Sequence, residues 1–167
     1  MKNYKKAGIF LSLGSNQGDR STNLHDACMK IRKQVGKIVR SSSIYSTAAW
    51  GVTDQPDFLN QVIEVETNLT PGALLEKTHS IEKSLGRIRT GKWGARIIDI
   101  DILLYREVEL KTAHLVIPHP ELPNRKFVLI PFAEIAADHV HPTAHKKISE
   151  LLDTCTDQLA VTKFIED

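Results

Sequence analysis

Apolar positions along the chain fall into short runs and helical repeats, separated by turns rich in glycine, proline, serine and asparagine. Gly8 to Leu13 is an apolar run of strand length, closed by Gly14-Ser15-Asn16-Gln17-Gly18-Asp19. Leu24, Ala27, Cys28, Ile31 and Val35 then recur at helical spacing, and Gly36 supplies a C-terminal stop. Ile38 to Tyr45, serine-rich and β-branched, predicts one strand, and 47–57 a long polar loop carrying an exposed Trp50. Phe58 to Thr67 alternates, with Leu59, Ile63 and Val65 on one face and Glu64 and Glu66 on the other. Thr70-Pro71 caps and starts a helix through Leu74, Leu75, Thr78, Ile81 and Leu85, ending at Gly86. Arg96 to Tyr105 is the most strongly marked strand. A small hairpin at Val108 and Leu110, a proline-studded segment 116–123 and a helix from Phe127 to Ala137 are expected next. A short helix at Lys146 to Leu152 and a last strand at Leu159 to Ile165 complete the chain.

The order β-α-β-β-α-β over 8–105 predicts a ferredoxin-like α/β (α+β) fold, a mainly antiparallel sheet with helices packed on one face. No internal repeat or linker-like stretch interrupts the pattern, so residues 1–167 are expected to form a single domain.

Composition narrows the class. The chain has 167 residues, 41% hydrophobic and 25% charged, enough for a real core and too mixed for disorder. A net charge of only +2 argues against a polybasic nucleic-acid coat. No apolar run approaches the roughly 20 residues needed to span a bilayer. Basic residues precede the first apolar run, but that run stops at Leu13 and reads as a strand, not a signal peptide. Cys28 and Cys155 are expected to be reduced thiols packed as small hydrophobes in a cytoplasmic protein. The near-neutral total hides an uneven distribution: Lys77, Lys83, Arg87, Arg89, Lys92 and Arg96 face only Glu82 over 77–96, whereas acids dominate from 134 onward.

Candidate chemistry begins at Asp99-Ile100-Asp101. Residues two apart in a strand share a face, so both carboxylates project together while Ile98, Ile100, Ile102 and Leu104 fill the other side. Two such acids repel unless a cation lies between them, and carboxylate plus phosphate oxygens is the usual setting of Mg²⁺. The alternative is a pair of surface acids bonded to Arg or Lys. Gly86-Arg87-Ile88-Arg89-Thr90-Gly91-Lys92-Trp93-Gly94-Ala95-Arg96 leads directly into this strand. Arginine forks there suit phosphate oxygens, and Trp93 offers a ring to stack on. His119, between Pro118 and Pro120, is placed to donate to a phosphate, although a lone histidine is commonly structural. Phe58 and Asn60 share a face and together offer a stacking ring and an amide, the tools for a flat heterocycle, unless Phe58 is plain core.

Six segments together resemble the 6-hydroxymethyl-7,8-dihydropterin pyrophosphokinases of folate biosynthesis. They are Gly14-Ser15-Asn16, Gln55-Pro56-Asp57-Phe58-Leu59-Asn60, Gly86-Arg87-x-Arg89, Trp93-Gly94-x-Arg96 running into Asp99-x-Asp101, Pro118-His119-Pro120 and Asn124-Arg125-x-Phe127. The resemblance spans about Gly8 to Ile135 in unbroken order. It implies a ferredoxin-like fold and transfer of the β,γ-pyrophosphoryl group of ATP to the pterin hydroxymethyl group, releasing AMP. By the same resemblance Asp99 and Asp101 are catalytic ligands of two Mg²⁺ ions, and Arg87 and Arg96, with Arg89 and Lys92, close over the triphosphate. Glu82, Trp93, Ile102, His119 and Arg125 fall at nucleotide-contacting positions. Thr47, Phe58, Asn60 and Phe127 resemble the pterin pocket, with Trp50, in place of a smaller apolar residue, as a further cap. His79 and His114 depart from the Gln and Arg of some relatives and receive no role.

Two rival classes compete with this one. A ferredoxin-like RNA-binding module would use sheet-face aromatics and basic patches, but carboxylates on that face repel a phosphate backbone. Another Mg-dependent phosphoryl or nucleotidyl enzyme would share Asp-x-Asp without the heterocycle pocket. The expected partners are ATP and the pterin, with no nucleic acid, no membrane and a monomeric state. His139, His141 and His145 match nothing in the family and are expected in a solvent-facing loop.

Overall fold

The structure, a computed structural model, describes residues 8–48, 54–88 and 94–166. The first apolar run forms β1 (Ile9–Ser15), buried along its whole length and paired antiparallel with β4 (Phe58–Glu66) and β5 (Asp99–Tyr105). The outer edge of β4 carries both β2 (Lys37–Ser41) and β3 (Tyr45–Thr47), and β3 pairs with β8 (Val161–Lys163). The helices α1 (Arg20–Gln34) and α2 (Pro71–Ser84) connect β1 to β2 and β4 to β5. This six-stranded antiparallel sheet has the ferredoxin-like order predicted from the chain.

Local chemistry explains where the elements start and stop. Asp19 caps α1 by accepting the Thr22 N–H (3.1 Å), and Thr70 caps α2 at the Ala73 N–H (3.3 Å). The single strand expected over Ile38 to Tyr45 is split in two. Ser42 engages Val62 through both its backbone N–H and its hydroxyl (2.9 and 3.0 Å), and Ser43 turns to Glu134, so side chains interrupt the ladder. The strand expected from Arg96 begins only at Asp99, because the Arg96 N–H and C=O are both taken by Asn16. The small hairpin pairs β6 (Leu110–Lys111) with β7 (Val116–Ile117), so its second strand comes from the proline-studded segment.

Helices cover both faces of the sheet, not one. Ile9, Leu11, Leu13, Ile63, Ile98 and Ile100 meet α1 and α2 on the first face. On the second, Phe10, Val62, Leu103 and Leu104 pack under α3 (Lys126–Ala136) and α4 (Ile148–Asp153), with Phe10 and Phe132 ring centroids 4.5 Å apart. Leu104 was expected beside Ile100 and Ile102. A register shift between Phe10 and Leu11 moves it to the second core. The second layer also buries Glu64, on the face opposite Ile63 and Val65 as expected: it is 3% exposed, pairs with Arg40 (2.6 Å) and accepts the Gly8 N–H (3.0 Å). Arg40 also donates to the Ile135 carbonyl, tying β2 to the end of α3.

Cys28 and Cys155 are free thiols, and burial raises the Cys28 pKa, keeping it protonated. The histidine cluster is not solvent-facing as a whole. His141 is buried and its Nδ1 accepts the Thr143 and Ala144 N–H groups (3.2 and 3.0 Å), while His139 lies edge-on to Phe10. Only His145 is exposed. The cluster organises a turn over the second core.

Gly36 allows the chain to pass close under β4: a Cβ there would lie 2.1 Å from the Glu66 carbonyl oxygen. Gly36→Ala is therefore expected to destabilise the fold by about 3 kcal/mol through overpacking against backbone that has no room to move. A urea-unfolding midpoint equal to that of the parent would contradict this.

Candidate active site

Strand alternation sends every second side chain of β1, β4 and β5 toward the second face, beyond the part that α3 covers. Ser12, Gly14, Phe58, Asn60, Asp99 and Asp101 line a cavity of about 890 Å³ there, within the range of small-molecule sites. Register places Gly14 between Asn60 and Asp99 and Ser12 beside Asp101. Asn124, Arg125 and Phe127, at the start of α3, contribute a wall, and Thr47, Ala48 and Gln55 another.

Each part of the floor has a physical anchor. A Cβ on Gly14 would come within 3.1 Å of Asn60 Oδ1 and 3.7 Å of the Phe58 ring, so glycine leaves room for both. Asn60 Nδ2 donates to Thr47 Oγ1 (2.8 Å), which fixes the amide's orientation. Asn16 is fully buried; its Nδ2 donates to Gln55 Oε1 (3.0 Å) and its Oδ1 accepts the Arg96 N–H (2.7 Å). Thus the Gly14-Ser15-Asn16 turn holds the Gln55 loop and the approach to β5 in one frame. Arg20 reinforces it by donating to the Asp57 carbonyl (2.7 Å).

The charged end of the cavity is a compact network. Arg87 and Arg96 each donate to a different oxygen of Asp99, both at 2.7 Å, and Arg87 also donates to the buried Glu82. Glu82 additionally accepts the Ile100 N–H (3.2 Å). Burial pushes the Glu82 carboxyl up to about 7, against the pull of Arg87. For Arg87, burial opposes the charge, but Asp99 and Glu82 outweigh it and hold the guanidinium protonated. Asp101 is raised by burial and then by the charges of Asp99 and Glu82, with Arg125 and Arg96 acting the other way. No hydrogen bond among the described residues reaches the Asp101 carboxylate.

Of the residues singled out from the chain, Thr47, Phe58, Asn60, Arg96, Asp99, Asp101, Arg125 and Phe127 line this one cavity. Arg87 reaches it through Asp99, whereas Glu82 is 3% exposed beneath it. The Ile102 side chain is 4% exposed and packs in the first core, away from the cavity. His119 Nδ1 accepts the Glu121 N–H (3.1 Å), so its neutral ring carries the proton on Nε2, free to donate. His79 is exposed on α2 and His114 is exposed between β6 and β7. Trp50, Arg89, Lys92 and Trp93 lie outside the described residues.

Burial and then Arg125 lower the His119 pKa from its ordinary 6.5. At pH 6.5 an NMR titration should find this ring mostly neutral, with its proton on Nε2. A ring half protonated at that pH would contradict the burial argument.

Sequence reasoning missed Ser12, Ala48, Glu121 and the segment 156–159 among the lining residues. Ser12 carries a signal: it and Gly14 alternate with buried Leu11 and Leu13, in phase with the two aspartates across the sheet. Thr156, Asp157, Gln158 and Leu159 carry none; the pairing of β8 with β3 brings that segment to the cavity.

The 7,8-dihydro-6-hydroxymethylpterin-pyrophosphokinase (HPPK) family model matches residues 10–137. The chain is 46% identical over 132 residues to the 2-amino-4-hydroxy-6-hydroxymethyldihydropteridine pyrophosphokinase of Methylorubrum extorquens, covering 78% of this chain and 84% of that one. It is 41% identical over 144 residues to the protein of the same name from Aquifex aeolicus, covering 86% and 89%. Among solved structures, an HPPK-DHPS in complex with substrates superposes with a TM-score of 0.71 at 18% identity, covering 87% of this chain and 43% of that one. A Plasmodium falciparum HPPK-DHPS gives 0.70 at 17% identity, covering 91% and 45%. At these identities the structural likeness is one of fold, and this chain spans less than half of those longer chains.

Proposed function

Because the chain belongs to the 7,8-dihydro-6-hydroxymethylpterin-pyrophosphokinase family, we propose that its cavity holds the pterin against Phe58 and Asn60 and the triphosphate beside Asp99 and Asp101. The chain is an enzyme of folate biosynthesis that transfers the pyrophosphoryl group of ATP to the hydroxymethyl group of 6-hydroxymethyl-7,8-dihydropterin, giving AMP and the pterin diphosphate. One observation carries the assignment of parts: tools for a flat heterocycle and tools for phosphate line the same cavity.

In this reading Phe58 and Phe127 flank the bicyclic ring and Asn60, oriented by Thr47, meets its polar edge. Trp50 is the further cap. Arg87, Arg96, Arg125 and His119 face phosphate oxygens, joined by Arg89, Lys92 and Trp93. Glu82 acts by holding Arg87 and the Ile100 backbone in place, and Ile102 by shaping the strand beneath the nucleotide. The pterin hydroxyl oxygen bonds to the β-phosphorus as the bond to the α–β bridging oxygen breaks. AMP leaves with that electron pair, and the hydroxyl proton departs. Holding the two reactants in line supplies much of the acceleration, and the arginines stabilise charge that grows on the transferred group.

The donor set fits Mg²⁺. Asp99 and Asp101 offer hard carboxylate oxygens on one wall of the cavity. The remaining coordination then falls to phosphate oxygens and water, as Mg²⁺ prefers. When bound, the two ions expected there would neutralise the phosphate oxygens as Lewis acids. Asp99 and Asp101 would hold them.

Residues 1–167 act as one domain, a cytoplasmic monomer that works on small molecules and binds no nucleic acid. Among the described residues no helix is long and apolar enough to cross a membrane. The decisive experiment incubates the protein with Mg-ATP and 6-hydroxymethyl-7,8-dihydropterin and follows AMP. Formation that depends on both the pterin and Mg²⁺ supports the assignment. AMP at the level of a pterin-free control overturns it, and salt-dependent RNA binding without AMP formation would favour the rival.

A further inference from the structure

Beyond the region matched by the family model, which ends at residue 137, the segment Thr156–Leu159 returns to wall the cavity. It runs from α4 to β8, along the start of α3. Within it, Asp157 makes two hydrogen bonds. Its Oδ1 accepts the Leu159 N–H (3.0 Å), shaping the segment itself, and its Oδ2 accepts the Lys126 N–H (3.0 Å), the first of α3.

That second bond matters because the start of α3 is poorly supported from within. Its N-cap residue, Arg125, makes no side-chain capping hydrogen bond, and no acidic residue lies in the first turn. Four N–H groups at a helix start lack intrahelical partners. Pro131 sits inside the helix, so the Phe127 carbonyl loses the N–H it would ordinarily accept four residues on. The residues on either side of Lys126 are Arg125 and Phe127, both lining the cavity, with the Arg125 guanidinium 5.6 Å from the Phe127 ring centre. A distant carboxylate thus supplies the cap that the helix lacks, at the point where two cavity side chains leave the backbone.

We infer that Asp157 is a positioning residue for this reaction: it clamps the first turn of α3 and so sets where Phe127 and Arg125 meet the substrates. The consequence for pterin binding rests on the proposed reading of the cavity; the clamp itself does not. A carboxylate suits this place, since a negative charge at a helix start also interacts favourably with the helix dipole.

The test compares Asp157→Ala, Asp157→Asn and Glu150→Ala in the full chain. Glu150 caps α4 through the Lys147 N–H (2.7 Å) and lies outside the cavity lining, so its loss reports general loosening of the same region. Amide hydrogen exchange without substrates reads the clamp: Asp157→Ala should accelerate exchange at Lys126 about tenfold, the scale of one lost cap. Steady-state kinetics read the positioning: Asp157→Ala should raise the pterin KM about tenfold by the same scale, with kcat changing less than about threefold. Asp157→Asn should recover part of both effects, because its amide oxygen still accepts one N–H. Glu150→Ala should lower Tm without moving the pterin KM. Unchanged exchange at Lys126 in Asp157→Ala overturns the inference whether or not the protein forms AMP. So does an unchanged pterin KM with only a lower Tm, or a loss confined to kcat. Accelerated exchange in Asp157→Ala, alongside a parent protein that forms no AMP, would leave the clamp standing and remove the reading of the cavity.

Discussion

Asp101→Asn and Asp99→Asn should each lower single-turnover AMP formation by about a thousandfold, because several kcal/mol of metal-borne charge stabilisation disappear with the carboxylate. Asparagine keeps the shape and removes the charge, so the comparison isolates electrostatics. The two variants should differ in what else they disturb. Asp99 anchors both Arg87 and Arg96, and its loss releases two guanidinium groups as well as removing one of the two proposed metal ligands. Asp101 has no hydrogen-bond partner among the described residues, so Asp101→Asn should fold like the parent and lose turnover alone. The measurement is quenched-flow AMP formation at saturating Mg-ATP and pterin, with Tm as the control for folding. Near-normal turnover by either folded variant would remove that aspartate from the metal assignment.

Arg96→Ala should slow the chemical step by about 10²–10³-fold, the loss expected when one preorganised charge-stabilising donor is removed. The position is favourable for a clean test. Arg96 is held by its backbone, whose N–H donates to Asn16 Oδ1 (2.7 Å) and whose carbonyl accepts the Asn16 N–H (3.0 Å). Removing the side chain therefore leaves the approach to β5 in place and leaves Asp99 paired with Arg87. Pterin affinity, measured by equilibrium titration, should change less than about threefold, about a fifth of the free energy lost from the chemical step. A variant with normal single-turnover rate and weakened pterin binding would move Arg96 from the phosphates to the heterocycle.

Much of this site was legible before any coordinates. Strand alternation alone puts Asp99 with Asp101 and Phe58 with Asn60, since a two-residue period is a property of the extended chain. The capped start at Thr70-Pro71 and the stop at Gly36 follow equally from local chemistry. Glu64 was not legible as a buried residue. Its alternation gives the correct face, but whether that face meets water depends on α3, which arrives some sixty residues later. The same cause hid His141, which looks like a loop histidine until its ring is found accepting two backbone N–H groups. Leu104 lies on the second face because the unpaired Leu103 in β5, opposite the Phe10–Leu11 step of β1, reverses the side beyond it.

The order of elements, the shared face of the two carboxylates and the family to which the chain belongs follow from local periods and contiguous motifs. Tertiary structure alone decided that α3 and α4 cover part of the second sheet face, that Glu82 reaches Asp99 through Arg87, and that Asp157 meets the start of α3. The physical reason is range. Backbone period and capping act over a few residues, whereas hydrogen bonds between Arg87 and Asp99 or Asp157 and Lys126 exist only once distant segments have packed.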